Sequence, residues 1–424
     1  MLKRLQSPPS NPVEKIDFLH PVTSRLDNGI PVYVLNGSKQ EMIRLEVIIN
    51  HVNYDAQNPL RTMAVSAMLK NGTATRSARE IADTVDYFGA FLDAEYATDH
   101  ITVTLYALSK HFASVLPVLV DILTASQFPQ SEVDIYKRNS KQKLSVSMQK
   151  NDFIARKKFA HELFGNTTYG ADINENDYDN LEREHMLQYF KEAFVADNFT
   201  IIASGKFEEN EMETLNAAFG QLKGAEELVL QNQFTFVATE GKRILVERPD
   251  AIQSAIRIGM ITINRKHPDF PGFSMLSCVL GGYFGSRLMA NIREDKGYTY
   301  GIGSGILSMK HAGQFYIATE VGTAVCESAL EEIYKEIEQL KQQLIPLDEL
   351  ELVRNYMLGS LLGSLENVFS HANKFKNLLF SGLDYDYYER YIKTIKLITP
   401  EELKDLANKY LKSDGFIELV VGKK

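Results

Sequence analysis

Tryptophan is absent from this 424-residue sequence and cysteine nearly so, with only Cys278 and Cys326, both in apolar stretches of the second half. Two such residues argue against a disulfide framework or a cysteine metal site and read as buried free thiols. No run of about 18 apolar residues occurs, which argues against a transmembrane helix. Positive charge is not in excess either: 46 Lys plus Arg face 55 Asp plus Glu, a formal net charge of −9. The basic footprint that phosphate backbones attract is therefore missing, and neither nucleic acid nor membrane is an expected partner. The start Met1-Leu2-Lys3-Arg4 runs into Gln6-Ser7-Pro8-Pro9-Ser10 rather than an apolar stretch and does not read as a signal peptide. The expected setting is cytoplasmic, or periplasmic if an export signal has been removed.

What is present is an ordinary globular composition, 44% hydrophobic, arranged as a long internal repeat. Ile43-Arg44-Leu45-Glu46-Val47-Ile48-Ile49-Asn50 resembles Ile256-Arg257-Ile258-Gly259-Met260-Ile261-Thr262-Ile263-Asn264, and each β-rich run leads through a Pro-containing loop to a helix-like apolar stretch. Near the end of each half Phe199–Lys206 matches Phe416–Lys423 as a closing strand. Between these markers lie strand-like segments, Ile101–Leu108 and Gln314–Val321, followed by helical periodicity over Ser114–Thr124 and Ala329–Leu340. Asp27-Asn28-Gly29 is a hairpin signal, and Thr399-Pro400-Glu401-Glu402 supplies an N-cap, an N1 proline and a capping-box glutamate. The pattern predicts an α+β protein of two homologous domains, 1–222 and 241–424, joined by a linker at 223–240.

The second half also carries Gly281–Gly305, GGYFGSRLMANIREDKGYTYGIGSG. Its glycines do not follow the Walker or dinucleotide spacing, so a close-packed turn and strand fit better than a phosphate loop. Histidine offers no metal site by spacing. His161-Glu162 lacks its second histidine, since Gly165 stands there, and His100, His111, His185 and His311 are scattered, whereas zinc needs three or four convergent donors.

Across nearly its whole length the sequence resembles the pitrilysin/insulinase family of inverted-zincin metallopeptidases, in its bacterial, mitochondrial-processing-peptidase-like branch. The resemblance rests on Leu26-Asp27-Asn28-Gly29-Ile30-Pro31-Val32, Met68-Leu69-Lys70-Asn71-Gly72-Thr73, Gly89–Ala94, Gly285-Ser286-Arg287-Leu288 and, most specifically, Arg293-Glu294-Asp295-Lys296-Gly297-Tyr298-Thr299-Tyr300. It implies that each domain is a mainly antiparallel sheet packed with helices (processing-peptidase/LuxS-like) and that the pair forms half of a clamshell. Active members carry His-x-x-Glu-His just before the Met-Leu-x-x-Gly-Thr segment, two histidines sharing a helical face with a glutamate that activates metal-bound water. Here Met63, Ser66 and Ala67 hold those places, and the third ligand position falls near Lys143-Leu144-Ser145. None of these supplies a zinc ligand set.

The family's second-half arginine and tyrosine, by contrast, correspond to Arg293 and Tyr300. In that reading the tyrosine hydroxyl donates to an oxyanion and the guanidinium holds substrate carbonyls. The plain alternative is an arginine binding carbonyls at a helix end and a packing tyrosine, with Tyr298 a local rival to Tyr300. The resemblance implies a zinc-free subunit, inactive alone. A homologous His-x-x-Glu-His partner would carry the zinc in a heterodimeric metalloendopeptidase acting on peptides, with no cofactor in this chain. The competing expectation is a non-enzymatic scaffold or peptide-binding homologue, like the core subunits of respiratory complex III.

Overall fold

The structure is a computed structural model and describes residues 13–37, 40–225, 234–236 and 240–424. Its β-branched runs form two sheets. The first contains β1 (Val22–Arg25), β2 (Pro31–Asn36), β3 (Met42–Asn50), β4 (Phe91–Tyr96), β5 (His100–Leu108) and β6 (Phe199–Gly205), in spatial order β1-β2-β6-β3-β5-β4. The second contains β7 (Lys242–Glu247), β8 (Gln253–Thr262), β9 (Ile302–Ser308), β10 (Gly313–Gly322) and β11 (Ile417–Gly422), in order β7-β11-β8-β10-β9. Without β1 the two orders superpose strand for strand. In each sheet a single pair is parallel, β2 with β6 and β7 with β11, and the other pairs are antiparallel. The repeated sequence runs fall on β3 and β8, and the closing runs on β6 and β11. The chain is thus α+β, with two sheet-plus-helix domains, each mainly antiparallel.

Local signals account for several of these elements. Asp27-Asn28-Gly29 turns β1 into β2, with Gly29 at φ 88° and its N–H donating to Leu26 O at 2.8 Å. Thr399 and Glu402 form the expected capping box at the start of the helix Pro400–Tyr410. Much of the expected linker at 223–240 lies outside the described residues, which there comprise 223–225, 234–236 and 240. Among the described residues no helix is long and apolar enough to cross a membrane.

β3 and β8 are buried along almost their whole length, as befits strands covered on both faces. Alternate residues serve different layers. Ile43, Leu45, Val47 and Ile49 enter the core beneath the first half's own helices, whereas Ile48, with Leu35 and Ile202, packs against Val368, Ala372 and Phe375. Those three belong to the helix Val368–Ser381, which comes from the second half. The exchange is reciprocal. The first-half helix Asn151–Phe164 lays Ile154, Ala155 and Phe159 on Ala255, Leu419 and Val421 of the second sheet.

Polar contacts repeat this exchange. Arg44 of β3 donates to Asn373 Oδ1 at 2.9 Å and to the Phe369 carbonyl at 3.0 Å, and its guanidinium lies 3.0 Å from Glu46 Oε2. Lys376 completes the group by bonding Glu46 Oε1. The equivalent arginine of β8, Arg257, pairs with Asp152 on the exchanged helix of the first half.

Two histidines sit near this junction. His51 contacts the Tyr189 hydroxyl at 2.9 Å and the Ala97 carbonyl at 2.6 Å, and His100 stacks on Phe380, ring centroids 3.6 Å apart. Burial is the main cause that lowers their pKa values, to about 4 for His51 and about 3 for His100. In the unfolded chain both protonate near 6.5. Stability contributed by the neutral rings is therefore present above pH 6.5 and is lost as pH falls toward 4 and 3. We expect the urea midpoint to drop steadily from pH 7 to pH 4.5, and less steeply in His100→Leu. A midpoint of the same pH dependence in both proteins would contradict this.

Candidate functional site

The positions that resemble a zinc motif lie on the helix Arg61–Met68. Met63 packs against the first core, Ser66 is 2% exposed with its hydroxyl unpartnered, and Ala67 is exposed. Thioether sulfur is a poor zinc ligand, a methyl group is none, and serine does not replace the general-base carboxylate. At the third position, on the helix Gln130–Ser147, Leu144 is buried while Lys143 and Ser145 are exposed. Among the described residues no group of three or more His, Cys, Asp or Glu is placed to hold a metal. The side chains present do not fit zinc, and no metal step is assigned to this chain.

The scattered histidines have structural work instead. His161 contacts the Gly170 carbonyl at 2.8 Å while its neighbour Glu162 pairs with Lys242 at 2.6 Å. His185 accepts from Glu182 N–H at a helix start, and His111 packs on Phe88. Cys278 and Cys326 are buried free thiols, and burial pushes Cys278 up to about 12, far from a reactive thiolate.

Gly281–Gly305 is a close-packed turn that shapes a surface. Cys278–Gly282 and Met289–Asp295 are short wide-turn helices of the π type. A Cβ on Gly281 would lie 2.5 Å from Ser304 N, so only glycine lets this turn approach the edge strand β9 so closely. Gly297, at φ 65°, then reverses the chain after the second wide turn, and Tyr298 N–H donates to Ile292 O at 2.9 Å. Thr299 pins the returning segment to β10 through Glu320 O at 2.7 Å.

The reversal carries Tyr300 back over Arg293. The Arg293 Cζ lies 5.4 Å from the Tyr300 ring centroid and 4.5 Å from that of Phe284, so the guanidinium is flanked by two rings. Among the described residues it makes no hydrogen bond or ion pair. Its donors are unspent, and the Tyr300 side chain is 92% exposed. Tyr298, the rival tyrosine, packs half-buried against the second core. Arg287 of the same segment is a strut, forked onto Glu349 at 2.9 and 2.8 Å.

The structure places Arg293 and Tyr300, the pair that the family resemblance pointed to, beside each other. Met63, Ser66 and Ala67 lie apart from them in the packing: their helix contacts β4 and the helix Arg183–Ala193 of the first half. Phe284 was not singled out from sequence. Its signal is an exposed aromatic inside a glycine-rich turn, at 63% exposure, which packing alone does not explain.

Two sequence profiles of one family match this chain. That of the insulinase family, peptidase family M16, matches residues 64–177, and that of the peptidase M16 inactive domain matches residues 180–357. Together they span well over half the chain, which belongs to the M16 family. It is similar to a Bacillus subtilis (strain 168) protein described as an uncharacterized zinc protease, YmxG, at 25% identity over 92% of each chain. A Helicobacter pylori protein described as a non-peptidase homolog, also YmxG, is 23% identical over 84% of this chain and 83% of its own. Among solved structures, a peptidase M16 inactive domain from Pseudomonas fluorescens superposes with a TM-score of 0.84 at 20% identity, covering 95% of this chain and 98% of that one. That likeness supports the fold.

Proposed function

We propose that this chain is the zinc-free subunit of a heterodimeric M16 metallopeptidase, bringing Arg293 and Tyr300 to a peptide held against a partner that carries His-x-x-Glu-His. The observation that carries the reading is the pairing of half-buried Arg293 with exposed Tyr300, whose donors are not consumed among the described residues. A phenol can donate to the oxyanion that develops as a peptide carbonyl is attacked, and a guanidinium beside two rings can donate to neighbouring substrate carbonyls. Division of labour fits the other half of the sequence, where Met63, Ser66 and Ala67 replace the metal-binding side chains.

The test is reconstitution with a zinc-bearing homologue from the same genome. The expected result is no bound zinc and no cleavage for this chain alone, a stable complex on mixing, and cleavage of an unstructured peptide by that complex. A second reading, a non-enzymatic binding subunit, is favoured by the description of the Helicobacter pylori relative as a non-peptidase homolog. A complex that forms without gaining peptidase activity would select it over the first.

A further inference from the structure

A cavity of about 400 Å³ opens between β9, the Cys278–Gly282 turn and the helices Leu347–Gly363, Val368–Ser381 and Asp386–Leu397. That volume lies within the range of about 300–1,000 Å³ common for small-ligand sites. Its charge is one-sided. Arg265 and Lys374 both line it, and no Asp or Glu does among the described residues. The Arg265 Nε is buried without a hydrogen-bond partner. Neither the guanidinium nor the Lys374 ammonium has an ion pair or hydrogen bond among the described residues.

Two cations drawn out of water beside each other without a counter-charge are unfavourable, because burial and mutual repulsion both oppose them. At Lys374, burial and then the Arg265 charge hold the ammonium below its usual pKa. The rest of the lining is complementary to an organic anion. Tyr387 and Tyr391 add phenols, which are protonated near neutral pH and able to donate, and burial raises their pKa values further. Phe270 and Leu361 supply apolar wall.

We propose that this cavity binds the carboxylate of an aromatic or apolar acid, with the carboxylate between Arg265 and Lys374 and the body of the molecule against the Phe270 and Leu361 side. The planar fork of Arg265 matches two carboxylate oxygens, and Lys374 adds a point charge. A free small acid and the C-terminal residue of a peptide offer the same group. This site does not depend on the heterodimer reading, since it uses neither Arg293 nor Tyr300.

Calorimetric titration of the full chain tests it with N-acetylphenylalanine, its amide, and the tetrapeptide Ala-Ala-Ala-Phe with a free terminus. The expected result is saturable binding of N-acetylphenylalanine, weakened about ten-fold or more in the amide and in each of Arg265→Gln and Lys374→Gln, in line with the loss of a charge-assisted bond. Because neither side chain bonds other groups among the described residues, and each substitution removes one of two repelling charges, both variants should unfold at or above the wild-type midpoint, which separates lost binding from lost folding. Tetrapeptide affinity equal to or above that of the acid supports the site as a peptide-terminus pocket. Retention of the acid alone supports it as a free-acid pocket. Equal affinity for acid and amide, unchanged affinity in both variants, or no binding of either acid would overturn the proposal.

Discussion

Replacing Tyr300 with phenylalanine is expected to lower kcat of the reconstituted complex about 100-fold or more with little change in KM, the cost typical of deleting one oxyanion donor. The substitution is well suited to the question because it removes a single atom from an exposed side chain. The ring that lies over Arg293 stays, and with it the cation–π contact. Arg293→Ala should act differently. It removes the clamp on substrate carbonyls and leaves the Phe284 and Tyr300 rings without the charge between them, so KM rises as kcat falls. Arg293→Lys should not restore the rate, since a compact ammonium lacks the planar fork. Wild-type rates in Tyr300→Phe would remove the tyrosine from the chemistry. A loss in Tyr298→Phe instead would transfer the role to its half-buried neighbour.

Glu46→Gln should produce the largest change in stability. Glu46 is 2% exposed and sits between two cations, Arg44 on its own strand and Lys376 on the exchanged helix. Removing its charge strands both in a poorly solvated layer, and breaking buried pairs in this way typically costs about 3–5 kcal/mol. Denaturant unfolding followed by circular dichroism would show this as a lower midpoint. The combined replacement Arg44→Met, Glu46→Leu, Lys376→Met should recover most of the loss, because a well-packed apolar trio carries no desolvation cost. A single variant as stable as the wild type would mean that water reaches Glu46 freely.

The two halves of the molecule were readable to different depths. Paired strands announced themselves because β3 and β8 are largely apolar β-rich runs at matching places, and the closing strands β6 and β11 each run from a Phe through an apolar stretch to Gly-Lys. The candidate site was partly legible. The family resemblance marked Arg293 and Tyr300, but the contact with Phe284 depends on the reversal at Gly297, which no periodicity encodes. The exchange of helices was not legible either. Val368–Ser381 and Asn151–Phe164 show apolar faces, and a face states that it will be buried without saying on which sheet. Arg44 and Glu46 were the overlooked hint, since charged residues inside a buried strand call for partners from another element. Arg265 and Lys374, without an acid beside them among the described residues, were invisible for a related reason: they come from separate elements, and the lack is a property of space rather than of sequence.

The exchanged helices bear on how such a chain can be divided. A fragment ending after the first sheet would bare Leu35, Ile48 and Ile202 to water, along with Arg44 and Glu46 deprived of Lys376 and Asn373. The second half alone would expose Ala255, Leu419 and Val421. Separate expression should therefore yield aggregation-prone halves that become soluble only when made together, and the intact chain should melt in one transition in spite of its two sheets. A gene that arose by duplicating one unit would, on this architecture, have lost the option of fission: each copy now finishes the other.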